Sequence, residues 1–298
     1  MTAKIGVLRI FSDLHLGDRG CRVRTLGQLA PLFDGADALV LNGDSLDTRP
    51  GPVHLSATAL AAANADTVAQ RARFLDFLAH HAPPTTILTG NHDPDISAQH
   101  ALDLADGQVF VTHGDIFFDD IVPWSRDTPI MRKLLAREFA ALTPDERRRL
   151  DLRFAAFRRV CANVPQRGHH AERNPFLYTF GLLADVAWPT RTLAVLRTWR
   201  ETPALASAFL RTHRPHARFL LMGHIHRPGV VQAPGGLTII NTGSFCAPAK
   251  ACAVDLTEEK LILRRIVRRG GGFRFGKTLA TFALASAATS PKIVREAV

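Results

Sequence analysis

The sequence predicts an α/β protein, and three observations predict it. Short runs rich in Val, Ile, Leu and Phe recur between Ile5 and Val111, stretches of helical composition separate them, and closely spaced apolar runs follow Met222. The chain has 298 residues, of which 46% are hydrophobic and 21% charged. That balance excludes a disordered chain, and the length gives room for one or two domains with a sizeable core. No apolar run approaches the ~20 residues that a membrane-spanning helix needs.

The elements follow in order. Ile5–Phe11, Ala38–Leu41, Thr85–Leu88, Val109–Val111 and Phe219–Met222 are expected as strands. The Ala-rich stretch from Ala57 to Ala79 favours helix over strand. Val230–Val231, Leu237–Ile240, Ala251–Asp255 and Leu261–Val267 are expected as further strands, with Gly235-Gly236 as a hairpin turn. Met1 to Phe11 runs as a strand straight into a polar loop, which is not the pattern of a secretory signal. Cys21, Cys161, Cys246 and Cys252 form no close pair, so reduced thiols and a cytoplasmic location are expected.

Positive charge is concentrated in one segment. The chain carries a formal net charge of +10; between Pro123 and Arg218 there are 18 Lys+Arg against 8 Asp+Glu, and the remainder holds 19 of each sign. A balanced body with a basic insertion suggests an anionic partner for the insertion. The insertion is expected to be helical throughout, with Pro144, Pro175, Pro189 and Pro203 as helix starts or breaks. Its clearest helix begins at the capping signature Thr143-Pro144-Asp145-Glu146 and places Leu150, Phe154, Phe157, Cys161 and Val164 on one face. Arginines 147, 148, 149, 153, 158 and 159 are expected on a solvated face. The stretch from Lys277 to Val298 is rich in small residues and is expected as a docked helix or a frayed tail.

Five of the apolar runs end in loops that carry metal-ligand residue types. These are Asp13-Leu14-His15, Asn42-Gly43-Asp44, Gly90-Asn91-His92-Asp93, His113-Gly114-Asp115 and Gly223-His224-Ile225-His226. Strand ends on one edge of a sheet lie close in space, so the loops can converge. Carboxylates and imidazoles without thiolates suit Mn, Fe, Zn, Co or Ni, and two such ions ~3.5–4 Å apart need a shared carboxylate. One fragment alone is a turn or a surface loop; five in order, each after an apolar strand, form a strong signal. The histidines at 54, 80, 81, 100, 169, 170, 213 and 216 lack this context and are expected to be ordinary.

On Asp13-x-His15, Gly43-Asp44-x-x-Asp47, Gly90-Asn91-His92-Asp93, His113 and Gly223-His224-x-His226, with a looser match at Asn241-Thr242-Gly243-Ser244, the sequence resembles the calcineurin-like metallophosphoesterase superfamily. The resemblance covers Ile5–Asp119 and Arg218–Leu263 and implies a four-layer αββα sandwich of two mixed sheets; the expected body is 1–120 with 218–276, with a helical, basic insertion at 121–217 as a lid or cap and a tail at 277–298. It implies that Asp13, His15 and His226 hold one metal and Asn91, His113 and His224 another, with Asp44 bridging. His92 would act at the leaving group, paired with Asp47. Two divalent ions are expected, Mn first among them, with hydroxide generated on the pair attacking phosphorus in line.

Within that superfamily the chain looks most like the UDP-2,3-diacylglucosamine pyrophosphatases. The likeness lies in Ser12-Asp13-Leu14-His15-Leu16, in His113-Gly114-Asp115 followed by Asp119-Asp120, and in the insertion before the last His motif. Those enzymes typically carry Arg at the position of His92, and their insertion is shorter. The expected partner is therefore a phosphorylated small molecule or lipid, with peripheral contact to the inner, anionic face of a membrane. The alternatives are a nuclease or cyclic-nucleotide phosphodiesterase, with nucleic acid as partner; a protein phosphatase, although Thr48-Arg49 stands where Arg-Gly is usual; and a metal-free binding scaffold.

Overall fold

The computed structural model describes residues 6–18, 20–49, 56–164 and 189–285. The first sheet has the order β11-β10-β9-β1-β2-β3, built from β1 (Leu8–Phe11), β2 (Ala38–Asn42), β3 (Thr85–Leu88), β9 (Cys252–Leu256), β10 (Lys260–Arg269) and β11 (Gly272–Ala283). The second has the order β4-β5-β6-β8-β7, from β4 (Ala101–Leu104), β5 (Val109–Thr112), β6 (Phe219–Met222), β7 (Gly229–Gln232) and β8 (Thr238–Asn241). Both sheets are mixed. β1, β2 and β3 run parallel, as do β5, β6 and β8, while the flanking strands pair antiparallel.

Period-two alternation assigns each face of these sheets to a layer. Ile10, Val40, Val109, Val111, Phe219, Leu221 and Ile240 meet in one core between the sheets. Their neighbours Phe11, Leu39 and Leu41 point the other way, onto Phe74 and Leu78 of helix α1 (Ala57–His81). Phe110, Leu220, Met222 and Ile239 point outward from the second sheet onto the helices of the basic segment. The result is the expected αββα sandwich.

Those helices are α2 (Thr128–Ala140), α3 (Pro144–Arg148), α4 (Leu150–Asn163) and α5 (Pro189–His213). The capping box at Thr143 and Glu146 forms as expected, but the helix it starts ends at Arg149, whose ψ of 121° is extended, and a second helix begins at Leu150. Pro144 opens a helix, and α5 is described from Pro189 onward. Pro203 lies inside α5 without ending it: burial of Ala206 and Leu210 beyond it outweighs the ~3 kcal/mol an interior proline costs. Pro175 lies outside the described residues.

Met131, Leu135, Phe154 and Phe157 share a core with the second sheet, so the segment supplies the sandwich's fourth layer. Arg147, Arg148 and Arg149 are exposed as expected, whereas the arginines of α4 are engaged. Arg158 donates to the Pro94 carbonyl (2.7 Å), Arg159 pairs with Glu138 (2.7 Å), and Arg153 lies over Phe139 and Phe157 (5.3 Å each). Residues 277–283, expected in a tail or helix, complete strand β11. Among the described residues no helix is long and apolar enough to cross a membrane.

Candidate metal centre

The carboxyl ends of β1, β2, β3, β5 and β6 bring the expected loops together. Parallel strands end on the same edge, which is why ligands dispersed from Asp13 to His226 converge. Two groups form. Asp13, His15 and His226 have ligand atoms within 4.8 Å of one another, as do Asp44, His113 and His224. In the first, His226 Nε2 lies 3.0 Å from Asp13 Oδ1 and 3.1 Å from His15 Nε2, with His15 Nε2 3.7 Å from Asp13 Oδ1. In the second, Asn91 Oδ1 lies 3.2 Å from His113 Nε2 and 2.9 Å from His224 Nδ1. Asp44 Oδ2 faces both groups, 3.1 Å from His113 Nε2 and 3.7 Å from His15 Nε2.

The backbone around these side chains is constrained. Asp13, His15, Asp44, His224 and His226 all have positive φ, between 49° and 65°. A left-handed conformation at a non-glycine residue costs about 1–3 kcal/mol, and such costs concentrate at functional sites. A Cβ at Gly90 would collide with Asp44, and one at Gly223 with Asp13, so both positions need the absence of a side chain.

Four of the imidazoles, those of His15, His92, His113 and His224, are fixed through one ring nitrogen. His113 Nδ1 sits 3.1 Å from the Asn42 carbonyl and His224 Nε2 2.8 Å from the Ile121 carbonyl, and since a carbonyl only accepts, these nitrogens carry the protons. Asp47 Oδ1 takes His92 Nδ1 at 2.8 Å, the expected pair, and also His15 Nδ1 at 3.0 Å. That leaves His113 Nε2, His224 Nδ1 and His15 Nε2 pointing into the site.

Sequence reasoning missed several supports. Asp93 is fully buried and accepts from the backbone N–H groups of Asp44, Ser45, Leu46 and Gly90, which fixes the Asp44 loop. Burial and the nearby Asp44 charge push its pKa up to about 6. Phe118 and Trp124 pack on His224, with centroids at 5.6 and 5.2 Å. The looser match does serve the site: Asn241 donates to the Gly223 carbonyl (2.6 Å), and Ser244 and the Phe245 N–H donate to the Asp13 carbonyl. Of the histidines expected to be ordinary, 54, 169 and 170 lie outside the described residues.

The electrostatics are those of a cation site. Burial alone would raise Asp13 and Asp44, but the imidazoles around them hold both carboxylates below their ordinary range. Burial works His113 downward, yet Asp44 lifts it to about 10. Burial, with His113 beside it, pushes His224 down to about 3. The ligand-atom separations of 3.0–3.7 Å bracket the ~3.3 Å edge of a tetrahedral shell with metal–nitrogen bonds of ~2.0–2.1 Å. The residues therefore fit divalent ions. The site opens to solvent at His92 and His226, whose side chains are 29% and 36% exposed, while the other ligand side chains are buried.

No family model and no curated protein sequence matches this chain. Among solved structures it is similar to Vps29 from Cryptosporidium parvum, at 12% identity and a TM-score of 0.41, covering 94% of this chain and 100% of that one. It is similar also to a Streptococcus pneumoniae protein named as a predicted phosphoesterase (13%, TM-score 0.38, 94% and 98% covered). A third is a dimetal phosphatase from Danio rerio (14%, TM-score 0.38, 88% and 96% covered). What the site can do follows from its own residues.

Proposed function

We propose that the protein is a dinuclear metal-dependent phosphohydrolase. The observation that carries the reading is Asp44 Oδ2, the carboxylate beside His113 (3.1 Å), which also lies 3.7 Å from His15 Nε2 of the Asp13 group, within reach of a shared role. Asp13, His15 and His226 would hold one ion, Asn91, His113 and His224 the other, and Asp44 both. When bound, such a pair polarises a phosphoryl oxygen and lowers the pKa of a coordinated water. His92, at the open side and hydrogen-bonded to Asp47, is placed to give a proton to the departing oxygen. The Asp47 and Asp44 charges outweigh its desolvation and raise its pKa, as a proton donor near neutral pH requires.

The substrate we propose is a phosphoester or pyrophosphate. The narrower reading, a nucleotide-linked lipid such as UDP-2,3-diacylglucosamine, draws no support from the apolar stripes of α2 and α4, because Met131, Leu135, Phe154 and Phe157 are consumed in the core. Ile130, Leu193 and Leu196 remain exposed for it. A Mn-supplemented panel of a nitrophenyl diester, a UDP-sugar lipid, cyclic nucleotides and single-stranded DNA separates the substrate classes.

The metal assignment has its own test. Removing the Asp44 bridge leaves two cations close together without the charge between them. Asp44→Ala should therefore lose more metal than His15→Ala or His224→Ala, measured by elemental analysis against two ions per wild-type chain. Full hydrolytic activity from protein shown to be metal-free would overturn the proposal.

A further inference from the structure

Two of the four cysteines are register partners across the loops that carry the metal centre. Cys21 and Cys246 form an isolated antiparallel bridge. Its hydrogen bonds flank the pair: Arg22 N donates to Phe245 O (3.0 Å) and Ala247 N to Gly20 O (3.0 Å). Cys21 and Cys246 thus occupy a non-hydrogen-bonded position. There, directly opposed residues have Cα atoms about 4.5 Å apart and side chains on the same face. That separation falls inside the range of about 4.4–6.8 Å that a disulfide spans. Both are free thiols, and Cys161 and Cys252 are not their bridge partners.

The two strands joined here belong to the site. Cys21 closes the loop that leaves His15, with its N–H donating to the Asp18 carbonyl (3.2 Å) and its thiol to the Leu14 carbonyl (3.1 Å). Cys246 ends the turn whose Ser244 and Phe245 hold the Asp13 carbonyl. We infer that Cys21 and Cys246 are a disulfide-forming site, and that the bond fastens the two loops on either side of Asp13.

The oxidant is a low-molecular-weight disulfide. Cys246, 8% exposed against 1% for Cys21, is the sulfur it reaches first. The Cys246 thiolate attacks one oxidant sulfur and expels a thiol. Cys21 then gives up its proton and attacks the Cys246 sulfur of the mixed disulfide, and the second thiol leaves. Two protein thiols are oxidised, and one oxidant disulfide is reduced to two thiols that carry away both protons. Burial pushes Cys21 up to about 11 and Cys246 above its ordinary value, which makes the exchange slow and shields the finished bond.

The test uses the full chain incubated with oxidised glutathione, quenched, alkylated in denaturant and digested without reductant. The expected product is one peptide pair linking Cys21 to Cys246, with an intact mass ~2 Da lower that dithiothreitol restores. A second measurement compares thermal midpoints. The oxidised chain should melt several degrees above the reduced one, because the bond constrains the unfolded chain. The Cys21→Ala/Cys246→Ala variant should show no oxidant-dependent change. Recovery of both cysteines alkylated, or of separate glutathione adducts on each, would overturn the site. A linked peptide with an unchanged or lower midpoint would overturn the fastening role. Neither measurement reads hydrolysis, and both chains are compared at matched metal content, so failure here is distinguishable from failure of the phosphohydrolase reading.

Discussion

Asp47 shows how one carboxylate can couple two tasks. Its Oδ1 holds both His92, at the open face, and His15, a buried member of the first ligand group. The two residues should therefore fail differently. Under the proposed mechanism His92→Ala removes the proton donor, so kcat should fall by roughly 10²–10⁴ on substrates with poor leaving groups and much less on nitrophenyl substrates, whose product leaves without a proton. Asp47→Asn also loosens His15, so both substrate types should lose activity and metal should be lost with it. Paired kinetics and elemental analysis check this; equal losses on both substrate types for His92→Ala would rule out proton donation. Much of this site was legible in the sequence, since each expected ligand is a side chain of distinctive chemistry directly after an apolar run. The carbonyls of Asn42 and Ile121 were not, because a backbone acceptor has no residue signature.

Among the elements, strand ends were legible where an apolar run met a ligand loop, and edges were not. β4 is four residues with an exposed Asp103, and β11 is a long strand interrupted by Gly276 with many exposed positions, so neither shows the buried pattern of a central strand. Helix α5 acts on the site in a way composition could not reveal. Trp199 Nε1 donates to the carbonyl of Ile225 (3.0 Å), the residue between His224 and His226, and Arg227 lies over its ring at 5.2 Å. Since both flanking ligands hold strained positive φ values, the bond pins a loop that would otherwise relax. Trp199→Phe keeps most of the ring and deletes the donor. We expect the variant to fold with a near-native thermal midpoint but to release metal to a chelator faster than wild type. An unchanged release rate would assign Trp199 to packing alone.

At the scale of the molecule, the layers are interdependent: excising the helical segment would bare Phe110, Leu220 and Met222 of the second sheet, so it belongs to the body it encloses. One residue joins three parts of that body. His100 precedes β4, bonds through Nδ1 to the Thr89 hydroxyl beyond β3, accepts from the Thr112 hydroxyl of β5 at its carbonyl (3.1 Å), and stacks on Phe154 of α4 with centroids 5.1 Å apart. Burial, with Arg158 nearby, pushes its pKa down to about 4. In the unfolded chain the same ring titrates near ~6.5. Between those values the unfolded chain binds a proton that the folded chain refuses, so protonation favours unfolding. The contribution is complete above about pH 6.5 and is lost as pH falls toward 4. His100→Gln retains a polar side chain that does not titrate. In urea melts from pH 7.5 down to 4.5 at matched metal content, the variant's stability should fall less steeply than that of wild type, by up to one proton's worth of slope. Parallel profiles would mean that the His100 ring takes up its proton as readily in the folded chain as in the unfolded one, and that the junction between the layers is not an acid-labile point of the fold.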